Sequence, residues 1–127
     1  IEKEIKLFSP DTVFTHSNCD SNKDHHKVYD ATIIATRPQS LVKRVLSYEV
    51  LSSTEWGFDK AFSPNVFYPL TEKNVQDKWD ALEFYETEIK EFPYPRSEKG
   101  VKTLASYRGL QSGHENAEAY KLIRGTL

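Results

Sequence analysis

Thr12-Val13-Phe14-Thr15-His16-Ser17-Asn18-Cys19-Asp20-Ser21-Asn22-Lys23-Asp24-His25-His26-Lys27-Val28 joins a short β-prone run to the start of a helical pattern. The run Thr12 to Thr15 is bounded by polar clusters and reads as a buried strand. From about His25 to Thr36, Val28, Ala31, Ile34 and Ala35 recur at helical spacing, and Arg37-Pro38 closes the element because proline disfavours helix in the residue before it. A strand feeding a helix predicts an α/β fold, in which ligands gather at the C-terminal ends of the strands. This junction holds three of the four histidines beside Asp20 and Asp24, which makes it a candidate metal site.

Outward from the junction, Ile1 to Phe8 reads as the tail of an amphipathic segment closed by Ser9-Pro10. Val42 to Ser53 and Asn65 to Leu70 read as strands, separated by a loop holding Trp56, Phe58 and Phe62. A second helix is capped by Thr71, carries Val75, Trp79, Leu82, Tyr85 or Glu86, and Ile89 on one stripe, and ends before Pro93. A third begins near Ser97 with Val101, Leu104, Ala105 and Arg108 on one side, and Gly109 interrupts or ends it. Between Gly113 and Leu127, the spacing of Ala117, Tyr120, Ile123 and Arg124 suggests a last helical turn or two. Alternating strands and helices predict a layered α/β arrangement with a mostly parallel sheet of about three strands. So small a sheet needs further cover. The chain opens on Ile1 inside a helical pattern and contains no methionine, so it reads as a piece of something longer.

A length of 127 residues makes one domain with room for a core. With 38% hydrophobic and 28% charged residues it has the composition of a folded protein. A net charge of -2 without a Lys/Arg cluster argues against nucleic-acid or anionic-membrane binding. No run reaches the apolar length of a membrane span and no signal pattern opens the chain, so a cytoplasmic location is expected. The lone Cys19 cannot form an internal disulfide and excludes a zinc site built on two thiolates.

A hydrolytic zinc site needs neutral imidazole and carboxylate ligands with one position open to water. His25, in a first helical turn, fits: the positive end of the helix dipole disfavours imidazolium, and Asp24 stands next to it as a partner orienting a neighbouring group. The alternative is that the cluster is a helix cap and polar surface. His26 must point in another direction, toward solvent or a partner. His114 reads as a surface residue, and nothing near Cys19 supplies the positive charge of a reactive thiolate.

The run Thr15-His16, Asp20-Ser21-Asn22-Lys23-Asp24-His25, Val28 and Arg37-Pro38 closely resembles the metal-binding junction of the PIG-L/LmbE-like N-deacetylases. Tyr48-Glu49-Val50, Ser52-Ser53-Thr54 with Trp56, Phe62-Ser63-Pro64-Asn65, Lys78 to Tyr85, Pro95-Arg96-Ser97, Arg108-Gly109 and Ala117-Glu118-Ala119-Tyr120 resemble that family in its order. The likeness spans nearly the whole chain and is specific as a set. It implies a Rossmann-like, three-layer fold truncated on its N-terminal side, residues 1–127 forming the C-terminal part of a single domain. It also implies zinc-dependent hydrolysis of an N-acetyl group, commonly on an N-acetylhexosamine or its conjugate. The family's first strand carries a His-Pro-Asp-Asp motif supplying two metal ligands and the general base. No His-Pro or Asp-Asp pair occurs here, so only the third ligand, His25, carries over.

Many members place a histidine three residues before that ligand, tied to an aspartate; here Asn22 stands there while Asp24 is kept. Asn22 can donate to an oxyanion but supplies no proton. His16 either takes over that duty or caps local backbone. By the same resemblance Arg96 and Arg108 lie on the C-terminal side of the pocket, where an arginine recognises phosphate or hydroxyl arrays. The structural alternative makes Ser97 a helix cap and pairs Arg108 with Glu118 or a carbonyl. Trp56, Phe58 and Tyr68 read as a sugar-stacking wall or as core or subunit contacts, and exposed aromatic loops would favour a homo-oligomer. The competing functional class is a non-catalytic sugar-binding or assembly module on the same scaffold. A sugar-nucleotide protein would require a glycine-rich phosphate loop, which is absent.

Overall fold

The structure, a computed structural model, describes residues 1–126. Helix α1 (Glu2–Phe8) leads into strand β1 (Thr12–His16), helix α2 (Lys23–Ala35), strand β2 (Arg44–Tyr48) and a 3-10 turn at Thr54–Trp56. Strand β3 (Val66–Leu70), helices α3 (Glu72–Glu83) and α4 (Glu98–Ser112) and strand β4 (Asn116–Gly125) complete the order.

The strands form an open sheet in the order β1-β2-β4-β3. The pair β1–β2 is parallel, in register from Thr12 with Arg44 to His16 with Tyr48, and β2–β4 is antiparallel. The mixed α/β class is therefore as expected, but the sheet is mostly antiparallel with one parallel pair, correcting the mostly parallel Rossmann-like expectation. The physical reason is β4. The helical turns expected between Gly113 and Leu127 are instead a ten-residue strand, Asn116–Gly125, whose Ala117 and Ala119 are buried at the two-residue period of a strand. Inserted beside β2, it supplies the fourth strand and reverses the dominant sense. Helix α4 also runs through Gly109 rather than stopping there. It ends at Gly113, whose φ of 75° is a left-handed conformation that glycine adopts without steric cost.

The chain divides into two compact units. The first comprises Ile1–Val66 with the chain from Tyr120 onward. Its core is Ile5, Val42 and Val45, with Val13, Ile33, Ala35 and Ile123 packed against them. Helix α2 lies on β1, but only partly through the stripe its apolar residues predict: Val28, Ala31 and Ile34 are exposed, Ala35 packs against the core, and the fully buried line is Thr32 and Thr36. Polarity on that line is satisfied internally. Thr15 Oγ1 donates to Thr32 Oγ1 at 3.2 Å, Thr32 Oγ1 donates to the Val28 carbonyl at 2.7 Å, and Thr36 Oγ1 donates to the Thr32 carbonyl at 2.8 Å. Arg124 of β4 donates to the carbonyls of Thr36 and Val42 at 2.6 and 3.0 Å, placing a cation at the carbonyl end of α2.

The second unit, Phe67–Ala119, contains α3 and α4, which pack together. Thr71 caps α3 through a reciprocal box: its hydroxyl accepts from the Asn74 N–H at 3.2 Å, and Asn74 Oδ1 accepts from the Thr71 N–H at 3.0 Å. The helix ends at Glu83, ten residues before Pro93, so Tyr85, Glu86 and Ile89 lie beyond it. Ser97 caps α4 as expected, accepting from the Gly100 N–H at 3.1 Å. Among the described residues no helix is long and apolar enough to cross a membrane.

Candidate functional site

Within the first unit, the C-terminal end of β1, the start of α2 and the turn after β2 meet at Asp20. Its side chain is wholly covered, and four donors converge on it. The Asn22 N–H reaches Oδ1 at 2.8 Å and the Ser53 hydroxyl donates to the same oxygen. The Thr54 hydroxyl donates to Oδ2 at 2.9 Å, and His25 Nδ1 lies 3.0 Å from Oδ2. Burial by itself raises the Asp20 pKa, but hydrogen bonds from Ser53, His25, Asn22 and Thr54 together outweigh it and hold the carboxyl below its ordinary value.

The turn that delivers two of those donors is itself fixed. Thr54 Oγ1 accepts from the Val50 N–H at 2.7 Å, and the Thr54 N–H donates to the Val50 carbonyl at 2.9 Å. Glu55 accepts from the backbone N–H groups of Ser52 and Ser53 at 2.6 and 2.9 Å, which secures Ser52 at a φ of 69°. Ser21 ties the turn back to the loop, its N–H and hydroxyl both donating to the Ser53 carbonyl at 3.1 and 2.8 Å. Gly57 permits the close approach, since a Cβ there would stand 1.9 Å from the Cys19 carbonyl oxygen.

His16, last residue of β1, stacks on His25 with ring centroids 4.0 Å apart and an interplanar angle of 28°. Parallel register places Tyr48 beside it, the hydroxyl 3.3 Å from His16 Nε2. Burial and the neighbouring His25 lower the His16 pKa, against an opposing pull from Asp20. Burial raises the pKa of the Tyr48 hydroxyl.

The structure brings His16 and His25 together and holds Asp24, expected beside His25, at the surface. Asp24 is 81% exposed at its side chain and pairs with Lys27 at 3.0 Å, because the first turn of α2 carries it outward. The carboxylate that grips His25 is Asp20. Asn22 is the cap of α2, its Oδ1 accepting from the Asp24 N–H at 2.9 Å. His26 is not turned freely to solvent: its Nε2 hydrogen-bonds the Asp20 carbonyl oxygen. His114 is exposed, as expected. Arg96 and Arg108 belong to the second unit. Arg96 pairs with Glu88, and the buried Arg108 donates to Gln111 at 2.7 Å and lies against the Tyr107 ring. Trp56, Phe58 and Tyr68 are all exposed. Sequence reasoning missed Ser53 and Thr54 as parts of the site; the Ser52-Ser53-Thr54 hydroxyl run was their only signal.

Among the described residues no group of three or more His, Cys, Asp or Glu side chains is arranged to hold a metal ion. One nitrogen of the His25 ring is held by the Asp20 carboxylate. A scan against protein-family models found no match, and a search of curated proteins found none either.

Proposed function

We propose that the chain is part of a zinc-dependent N-deacetylase acting on an N-acetylhexosamine or a conjugate of one, with His25 as one metal ligand. The observation that carries this reading is the bond between His25 Nδ1 and Asp20, which leaves Nε2 as the ring's donor atom. The resemblance to the PIG-L/LmbE-like enzymes at Asp20 to His25 supports it. In the resembled family the remaining ligands and the general base come from a His-Pro-Asp-Asp segment, which these residues do not contain. Zinc, when bound, would supply Lewis acidity toward an amide carbonyl and toward the attacking water.

Around that centre, His16 is the proton-transfer group replacing the histidine that the family has at Asn22. It stacks on His25, and burial and the neighbouring His25 lower its pKa, which eases release of a proton toward the leaving amine. Asn22 is committed to capping α2, so its part is to fix the helix start. The setting is cytoplasmic, in keeping with the free Cys19. The exposed Trp56 and Phe58 suit sugar stacking or contact between copies.

Zinc titration of the purified chain followed through the histidine ring resonances tests the reading. Selective movement of His25, abolished by His25→Ala, is expected, with no acetate release from N-acetylglucosamine by this chain, because one imidazole holds zinc weakly. Zinc that leaves His25 unmoved refutes the ligand assignment. An upstream reading frame lacking the His-Pro-Asp-Asp segment favours the non-catalytic sugar-binding module.

A further inference from the structure

We infer that Asp20 is the positioning residue for His25, and that it acts by fixing the imidazole as the Nδ1–H tautomer through a socket completed by Ser53 and Thr54. The inference rests on the proposed function only for what Nε2 binds; the tautomer follows from the hydrogen-bond geometry.

An ionised carboxylate offers about four lone-pair sites and no donor. At Asp20 four partners occupy them: the Asn22 N–H and Ser53 hydroxyl at Oδ1, the Thr54 hydroxyl and His25 Nδ1 at Oδ2. Thr54 cannot reverse its role, because its oxygen already accepts the Val50 N–H at 2.7 Å and its hydrogen is left for Asp20. The Asn22 N–H is a backbone donor that cannot rotate away. With the carboxylate ionised, His25 Nδ1 must carry a proton to share this site, and a neutral ring then has its lone pair on Nε2. The arrangement couples the tautomer to a turn more than thirty residues away in sequence, since Ser53 and Thr54 hold the carboxylate at its angle. The same residue also holds His26 through its backbone carbonyl, so both histidines are indexed to Asp20.

Asp20→Asn makes a directional test. The Asn22 N–H requires the amide oxygen at the Oδ1 position, which turns the amide NH2 toward His25 Nδ1 and Thr54. Nδ1 must then accept, and the ring proton moves to Nε2. Long-range proton–nitrogen correlation spectra of the imidazoles, recorded on the purified chain near pH 8, read this directly. Expected are a protonated Nδ1 in the wild-type ring and a protonated Nε2 in Asp20→Asn. If that variant does not fold, the wild-type spectrum alone still decides, since an ionised carboxylate admits only Nδ1–H beside it. A wild-type His25 protonated on Nε2, or a folded Asp20→Asn that keeps Nδ1–H, overturns the inference.

Zinc binding to the same samples separates the two claims. Asp20→Asn should weaken zinc affinity about 10- to 100-fold, the usual effect of removing a ligand's carboxylate partner. A wild-type Nδ1–H ring that ignores zinc upholds the positioning role and removes the metal reading. An Nε2–H ring removes the positioning role whatever zinc does.

Discussion

Replacing Thr32 by Val should cost more than replacing Thr15 by Val, and replacing both should cost less than Thr32→Val alone. Thr15 is 1% exposed and its hydroxyl has Thr32 Oγ1 as acceptor at 3.2 Å, while Thr32 passes its own hydrogen to the Val28 carbonyl at 2.7 Å. Valine keeps the shape and a similar helix propensity, so the change is confined to the hydroxyl. Thr32→Val strands a buried donor on Thr15, a desolvation loss of about 1–3 kcal/mol. Thr15→Val removes only the outer bond, about 0.5–1.5 kcal/mol, since Thr32 still donates to Val28. In the double variant no hydroxyl is stranded and two methyl groups replace polar atoms in a buried layer, which brings the total near neutral. A coupling of roughly 1.5–4.5 kcal/mol should therefore separate the double variant from the sum of the singles. Urea unfolding of the four proteins measures it, and a loss of about 2 kcal/mol would appear as a Tm drop of roughly 6–10 °C at this chain length. Additive losses would refute the reasoning, and with it the idea that this threonine relay seats α2 on β1.

Other outcomes can be set beside this one. The folded Asp20 carboxyl titrates below its ordinary value because its hydrogen bonds outweigh burial, so the unfolded chain takes up that proton first as pH falls. Its stabilising contribution should be complete above about pH 5 and lost as pH falls below the usual carboxylate value and through the lower folded one, and Asp20→Asn should flatten this acid limb in a stability-versus-pH series. Gly57→Ala must displace the Cys19 carbonyl or the turn, since the new Cβ would lie 1.9 Å from that oxygen. It should lower stability by about 1–3 kcal/mol in denaturant unfolding, and a neutral effect would show that the turn and loop do not approach so closely. His16 should titrate below an ordinary histidine by ring-proton NMR, because burial and His25 both disfavour its charged form. A normal midpoint would remove the stacked pair.

What the sequence revealed divides along the range of the interactions. Strand β1, helix α2 and the Thr71 and Ser97 caps are local, each decided by residues within four or five positions of one another, and all could be read directly. Strand β4 could not, because Ala117, Tyr120 and Ile123 fit a helical spacing as well as a strand, and only pairing with β2 chooses. The buried face of α2 was misread because its covered line is built from Thr32 and Thr36, hydroxyl residues whose partners lie on β1 or one turn back. His25 stood out in the sequence as a candidate, but its hydrogen-bond partner did not: adjacency pointed to Asp24, whereas Asp20 is set in place by Ser53 and Thr54, contributed by a distant turn.

The placement of β4 also has a consequence in time. A ribosome releases β1, α2 and β2 long before β4, yet β4 is the strand that occupies β2's open edge and brings Arg124 to the carbonyls of Thr36 and Val42. During synthesis the parallel pair therefore waits with one row of backbone donors and acceptors unpaired, a template for any passing strand. Until Asn116–Gly125 has emerged that edge stays open, so a stall before it would expose the nascent chain to edge-to-edge pairing there.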